Sequence, residues 1–344
     1  MRIIISCVLL LILVLSCKKE DVKLPYFQSE LPGKHLNEMA IDQKNYLYFV
    51  THEPDLSVEV PLFSSSGPPN IFYLSRKQNE QDMVEVLDND FLPSKFLLFD
   101  NNNTLWSTNG NKVYCIENGV YEEITALPEG QGGFDFMAYD HENNIWLGGI
   151  TTGLYKIDSQ KNVSIFNISN SPLPTNTLTS IFIDKNNTKW ITMRNDRGVL
   201  EIKGEDWIFH NSSNSNITSQ DIWCITGDKE GNIWIGCGFE NPSQSLMKYD
   251  GSSWTTVIPE DSNGNKIYGE IREIFSDSTR IYIVSQKIVN MAFSSNILLT
   301  FNGTSWNKIS EVPEDDPIKD IVVDYYRNST WIRTLNEGIY KISL

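Results

Sequence analysis

One short phrase, repeated along the chain, constrains what it can fold into more than any other feature. An aspartate opens a tight turn, and a β-forming run follows with an aromatic residue about six positions on. The clearest copy is Asp228–Gly236, D-K-E-G-N-I-W-I-G. Asp228 can accept from its own backbone two residues on, Gly231 supplies a positive φ, and Ile233, Trp234 and Ile235 favour a strand. The phrase returns with Asp100 and Trp106, Asp140 and Trp146, and Asp184 and Trp190. Weaker copies pair Asp42 with Tyr48, Asp277 with Tyr282 and Asp324 with Trp331. The seven anchors lie 58, 40, 44, 44, 49 and 47 residues apart. Periods of this size with several short strands per unit mean propeller blades, since a helical solenoid would carry 3.6-residue patterning. The fold class expected is therefore all-β: a seven-bladed propeller of four-stranded antiparallel blades, one domain over residues 24–344.

Counting strands adds a detail. The last repeat offers only three, at Ile318–Val323, Thr330–Arg333 and Gly338–Ile342, while a spare one stands at Leu24–Glu30 before the first repeat. Y-F-Q-S-E-L-P-G-K-H-L before Asp42 parallels I-F-N-I-S-N-S-P-L-P-T-N-T-L before Asp184, a fourth strand leading into the next blade's first. Residues 24–30 are expected to close the ring on the outer edge of blade seven, pairing an otherwise open edge.

Residues 1–16 are set apart from this fold. Arg2 precedes an apolar run from Ile3 to Leu15, too short for a spanning helix and right for a secretory signal. Its end, Val14-Leu15-Ser16-Cys17, resembles a bacterial lipobox, with Val14 where leucine is usual. That resemblance implies cleavage before Cys17 and acylation of its thiol by chains such as palmitate. Residues 17–23 then read as a lipidated tether that anchors the protein to a membrane without spanning it. An outer-membrane lipoprotein, periplasmic or surface-facing, is the localisation expected.

Charge narrows the partners. The chain carries 28 basic and 44 acidic residues; losing Arg2 with the leader leaves 27 against 44, a net charge of −17. So acidic a surface repels phosphate backbones, and nucleic acid is not an expected partner. Beyond the lipid cysteine, Cys115, Cys224 and Cys237 form no C-x-x-C pair. They read as free buried thiols rather than as a disulfide framework or zinc site. A bridge across the hairpin between Cys224 and Cys237 is the alternative pairing.

The phrases D-x-x-G-N-I-W-I-G, G-L-Y-K-I-D and N-S-x-L-P-x-N-x-L together resemble the two-component regulator propeller repeat. The resemblance spans about residue 24 to 344 and is strongest in blades three to five. It implies a seven-bladed sensor-type propeller, here in the free-standing lipoprotein form, since no kinase or DNA-binding segment follows blade seven. The absence of convergent catalytic motifs favours a non-catalytic module, expected to be a monomer without a cofactor, that binds a glycan, peptide or envelope protein. Propeller lyases that cleave cyclic antibiotics carry similar D-x-x-G-x-I-W phrases, so a lyase- or hydrolase-like enzyme at the channel mouth is the alternative. No G-x-S-x-G, H-E-x-x-H or G-K-[ST] motif supports that alternative.

Repeated residues are assigned to structure. Trp106, Trp146, Trp190, Trp234 and Trp331 are expected to pack between blades. The turn aspartates lack the closing glutamate of a calcium loop and are expected to cap turns; no metal site is expected. His141 and His210 are read as surface residues. The residues that open each first strand should ring the channel mouth, with the longest second-to-third loops, His52–Asn70, Cys237–Gln244 and Gln286–Asn296, over the same face. Trp223 is the one aromatic at this position, where other repeats carry Asn37, Lys95, Asp135, Thr179, Arg272 and Lys319. Trp223 and Arg272, with Phe239 and Glu240 from blade five's long loop and Asp135, Lys95 and Lys319 around the ring, form the expected ligand site.

Overall fold

A computed structural model of the chain describes residues 35–343, apart from 45, 55–69, 78–84, 89–90, 92–94, 195–197, 219–220, 239–244, 262, 278, 290–291, 310–316, 325–328 and 335–338. The leader, Cys17 and the expected closing strand at 24–30 lie outside the described residues. Among the described residues no helix is long and apolar enough to cross a membrane.

The chain folds into consecutive antiparallel meanders. The first is β1 (His35–Ile41), β2 (Leu47–Pro54), β3 (Asn70–Lys77) and β4 (Glu85–Asp88). The second is β5 (Phe96–Phe99), β6 (Leu105–Thr108), β7 (Lys112–Glu117) and β8 (Val120–Ala126). The third is β9 (Phe136–Tyr139), β10 (Ile145–Gly149), β11 (Gly153–Ile157) and β12 (Val163–Phe166). The fourth is β13 (Leu178–Ile183), β14 (Lys189–Met193), β15 (Gly198–Lys203) and β16 (Asp206–His210). The fifth is β17 (Ile222–Gly227), β18 (Ile233–Cys237), β19 (Leu246–Tyr249) and β20 (Trp254–Thr256). The sixth is β21 (Glu270–Ser276), β22 (Ile281–Val289), β23 (Ala292–Phe301) and β24 (Trp306–Ile309). A last sheet holds β25 (Ile318–Asp324), β26 (Ser329–Thr334) and β27 (Ile339–Ser343). Each sheet is hydrogen-bonded in chain order. The described residues thus give six four-stranded blades rather than the seven expected, followed by a three-stranded sheet.

The first strands stand side by side around an axis, and β25 lies next to β1. Two faces follow from the register. At one, each first strand begins opposite the end of its second, as His35 pairs with His52 and Glu270 with Gln286. This is the mouth, where every fourth strand also arrives before passing into the next first strand. The tight Asp turns occupy the opposite face.

Those turns explain the repeated phrase. The carboxylate does two jobs: Oδ1 accepts from the backbone N–H groups two and four residues on, and Oδ2 accepts from the indole. At Asp140 these bonds come from Glu142 (3.0 Å), Asn144 (2.9 Å) and Trp146 Nε1 (2.9 Å). The indole bond recurs from Trp106 to Asp100 (2.9 Å), Trp190 to Asp184 (3.1 Å) and Trp234 to Asp228 (2.8 Å). In the degenerate sixth copy the Tyr282 hydroxyl donates to Asp277 instead, at 2.7 Å. The six-residue spacing is thus a clamp: turn and strand are fixed by one carboxylate, which satisfies the buried indole N–H.

The turns are also tied to one another. Asn103, Asn143 and Asn187 hold positive φ of 61°, 63° and 65°, a conformation asparagine tolerates. Each presents its amide oxygen to the preceding blade's turn, accepting from the N–H of Gln43 (2.8 Å), Asn101 (3.0 Å) and His141 (3.0 Å). At blade five the same position is Gly231, φ 92°, which keeps the conformation but has no side chain to accept. The series stops there.

The core lies between blades rather than within them. Trp106 of blade two packs on Phe134, Ile145, Leu147 and Tyr155 of blade three, and Trp190 of blade four on Ile222, Ile225, Ile235 and Trp254 of blade five. Tyr282, Val284 and Leu298 of blade six pack on Ile318, Ile321 and Ile332 of the last sheet. The assignment of the repeated indoles to packing between blades holds for Trp106, Trp146, Trp190 and Trp234, and Trp331 is buried.

Candidate functional site

The mouth is built by a shared irregularity. In β13 the ladder pairs Leu178 with Met193 and then Ser180 with Thr192, so Thr179 is bulged out. The same step skips Asn37 in β1, Trp223 in β17, Arg272 in β21 and Lys319 in β25. A bulge leaves one residue unpaired and re-aims its side chain. Lys95 and Asp135 hold the corresponding place in blades two and three, directly before β5 and β9, where the Lys95 N–H donates to Thr108 O (2.6 Å) and the Asp135 N–H to Gly148 O (2.7 Å), the residues that Phe96 and Phe136 already face.

Several of these side chains reach into a neighbouring blade. Lys95 Nζ lies 2.6 Å from Asp135 Oδ1, and Asp135 Oδ2 accepts from the Ile150 N–H at 3.0 Å. The Thr179 hydroxyl donates to the Ile222 carbonyl at 2.9 Å. Trp223 meets a guanidinium from each adjoining blade: Arg194 Cζ is 4.2 Å from its ring centroid and Arg272 Cζ 4.3 Å. Both arginines are held by carboxylates. Arg194 Nε is 3.3 Å from Asp221 Oδ1, while Arg272 meets Glu270 Oε2 through Nε at 2.8 Å and NH2 at 2.7 Å. Asp221 and Glu270 each stand two residues before a bulged residue, Trp223 and Arg272. Glycine is required behind the indole, since a Cβ at Gly238 would lie 2.7 Å from Trp223 Nε1.

The expected site residues therefore divide into two clusters. Trp223 and Arg272 are brought together, as are Lys95 and Asp135, with blade four between the pairs. Lys319 occupies its bulge in β25, and its side chain lies outside the described residues, as do Phe239 and Glu240. Arg194, Asp221 and Glu270 join the site without being expected there: Arg194 directly follows a second strand, Asp221 directly precedes β17 and Glu270 is the first residue of β21, places where no repeat signal points. One expected loop is corrected. The stretch from Gln286 to Asn296 is a continued hairpin, with Ser295 opposite Lys287 and Ala292 opposite Val289, so it extends blade six beyond the mouth as paired strand. His210 is also corrected. Its Nε2 lies 3.0 Å from Glu201 Oε2 among Trp190, Tyr249 and Trp254, packed at the seam of blades four and five.

Below the mouth, an axial cavity of about 550 Å³ is lined by residues of all the first strands. The lining is mostly apolar, with Glu273 its one carboxylate among the described residues. Cys115, Cys224 and Cys237 are buried and unbridged, as expected. Burial pushes the Cys115 thiol up to about 11 and raises Cys224 as well, so neither is a thiolate nucleophile near neutral pH. Among the described residues no three His, Cys, Asp or Glu side chains gather to hold a metal ion. Asp135, Asp221 and Glu270 are engaged by cations.

Comparison with known proteins agrees with the architecture. The Two component regulator propeller family matches residues 216–239, the stretch that holds Trp223 and the clearest repeat phrase. No curated protein matches the sequence significantly. A catalytically inactive virginiamycin B lyase from Staphylococcus aureus with quinupristin is similar, with a TM-score of 0.66 and 13% identity over 91% of this chain and 96% of that one. YCF48 from Cyanidioschyzon merolae gives 0.59 and 12%, over 90% and 96%. The extracellular domain of the hybrid two component system BT4673 from B. thetaiotaomicron gives 0.50 and 13%, over 90% of this chain and 53% of that one. At such identities the likeness is one of fold.

Proposed function

We propose that this chain is a non-catalytic binding propeller of the bacterial envelope, related to sensor-type propellers, that takes a glycan, peptide or partner protein at its mouth. The observation that carries the reading is the bulge at one repeat position in β1, β13, β17, β21 and β25. Five strands carry one extra, unpaired residue at the same end of the axis, and at two of them that residue is Trp223 or Arg272. Irregularity of this kind collects at sites of function, on a scaffold that is otherwise regular. The test is a glycan and peptide panel. Trp223→Ala and Arg272→Ala are each expected to weaken the captured ligand at least tenfold while thermal unfolding stays cooperative. Binding unchanged in both variants would place the site elsewhere.

Two further parts of the reading concern residues 1–34. Residues 24–30 supply the fourth strand of the β25–β27 sheet, making it the seventh blade. A chain lacking residues 18–30 should then melt several degrees lower, because one blade loses its outer strand and β27 keeps an open edge. An identical melting curve counts against closure. Cys17 carries the lipid that holds the protein at the outer membrane. Cys17→Ser should move it to the soluble fraction and abolish palmitate labelling; a variant still labelled and membrane-bound would refute the anchor.

A further inference from the structure

The chemistry of the mouth narrows the ligand beyond the proposed binding function, on which this inference rests. We infer that the ligand carries a carboxylate, held at the mouth by the guanidinium groups of Arg194 and Arg272, both of which pack against the Trp223 indole. Three observations lead there. First, both guanidinium groups lie over one indole, with Cζ 4.2 and 4.3 Å from its centroid, so each is held against a rigid ring. An arginine already held flat has little rotamer freedom left to lose when a carboxylate arrives, so the fork binds at small entropic cost. Second, two cations already crowd the indole, within 4.3 Å of its centroid. With both guanidinium groups against its ring, Trp223 offers a neutral sugar little apolar surface, which leaves the cations as the recognition elements. Third, the carboxylates that order the arginines engage them unequally. Glu270 takes Arg272 through two nitrogens, whereas Asp221 meets Arg194 only through Nε at 3.3 Å. Among the described residues the NH1 and NH2 groups of Arg194 have no protein acceptor, and the side chain is 27% exposed. Arg194 is thus positioned by its inner edge with its outer donors available, the geometry a bidentate carboxylate needs.

The setting sharpens the selectivity. A chain with formal charge −16 repels anions at long range, so an acid is retained only where cations are concentrated and oriented. Capture at the mouth should therefore be short-ranged and specific for a carboxylate that fits the fork.

Isothermal titration of the full-length protein tests the proposal with matched pairs: trigalacturonate against its methyl ester, and a short peptide with a free C-terminal carboxylate against its amide. At least one acid should bind tenfold or more tightly than its neutral partner, and the pair that shows the difference identifies the source of the carboxylate. Arg194→Gln and Arg272→Gln should each erase the difference. Arg194→Lys keeps the charge but loses the planar stack, and should recover little of it. Gly238→Ala changes no charge but drives a methyl group against Trp223 Nε1, and should weaken the acid several-fold by shifting the indole that both arginines pack on. Acid and neutral forms binding equally, or a difference that survives both glutamine variants, would overturn the carboxylate assignment and leave mouth binding standing. Silence from every probe and from the wider panel would remove both readings.

Discussion

Asp140→Ala is expected to destabilise the protein by about 3–5 kcal/mol, the range for stripping one partner from a buried, hydrogen-bonded ion pair. Asp140 is fully buried and answers five donors: the N–H groups of Glu142 and Asn144, the Asn144 amide, the Trp146 indole and, from blade four, Lys189 Nζ at 3.1 Å. Alanine leaves the indole and a nearly buried ammonium without their acceptor. Asp140→Asn, which keeps the shape and one acceptor, should cost distinctly less. Burial alone would raise this carboxyl, but the bonds from Asn144, Trp146 and Lys189 reverse that and hold it below its ordinary value. A depressed carboxyl contributes stability above its unfolded pKa of about 3.9, and the contribution is lost as pH falls through the folded value. The gap between wild type and alanine variant should accordingly be full at pH 7 and narrow below about pH 4. Urea unfolding at both pH values checks this. A loss under about 1 kcal/mol at pH 7 would show that the clamp is not what secures the turn.

Gly198→Ala should be nearly as damaging, for a different reason. Gly198 opens β15 at φ 77°, and a Cβ there would lie 1.9 Å from the His210 carbonyl oxygen of β16. The methyl group cannot be accommodated without parting β15 from β16, which carries the ring of His210 packed against Trp190, Tyr249 and Trp254. Left-handed backbone strain of about 1–2 kcal/mol adds to overpacking of about 1–3 kcal/mol. Gly204 provides the control: its φ is 61°, but nothing lies within 4 Å of the place an added methyl would take. Gly204→Ala should show the backbone part alone. Equal melting temperatures for the two variants would mean that the contact with His210 is relieved without loss.

These effects bear on what the amino-acid order discloses. The Asp-to-Trp spacing is legible because a local clamp is written in consecutive residues, and the strands between clamps follow from β-forming runs. The identity of the mouth residues is legible because they share one repeat position. Their irregular backbone is not: nothing in I-W-C-I-T or I-R-E-I-F distinguishes a bulged strand from a straight one. Nor does Arg194 stand out, since its partners Asp221 and Trp223 belong to the next blade and meet it only when the ring is formed. The hairpin of β22 and β23 reads as a loop because S-Q-K and S-S-N look like turn punctuation, whereas pairing carries the strands through those polar residues. His210 misleads in the same way. A lone polar residue in an outer strand looks solvated until the neighbouring blade brings Tyr249 and Trp254 against it.

The direction of the outer strands has a consequence for how the protein would sit on a bilayer. Every fourth strand runs from the face of the Asp turns to the mouth, because it must deliver the chain to the start of the next first strand. In the proposed closure, residues 24–30 follow the same direction and so enter from the turn face. The lipid on Cys17 then hangs below that face on a leash of residues 18–23, no longer than about 20 Å when extended. The arc of asparagine-linked turns from blades one to four would lie toward the headgroups, and the opening beside Arg194, Trp223 and Arg272 would point outward. On that proposal the protein would be oriented by its own topology: a ligand would reach the mouth from the aqueous side, with no passage between protein and membrane required.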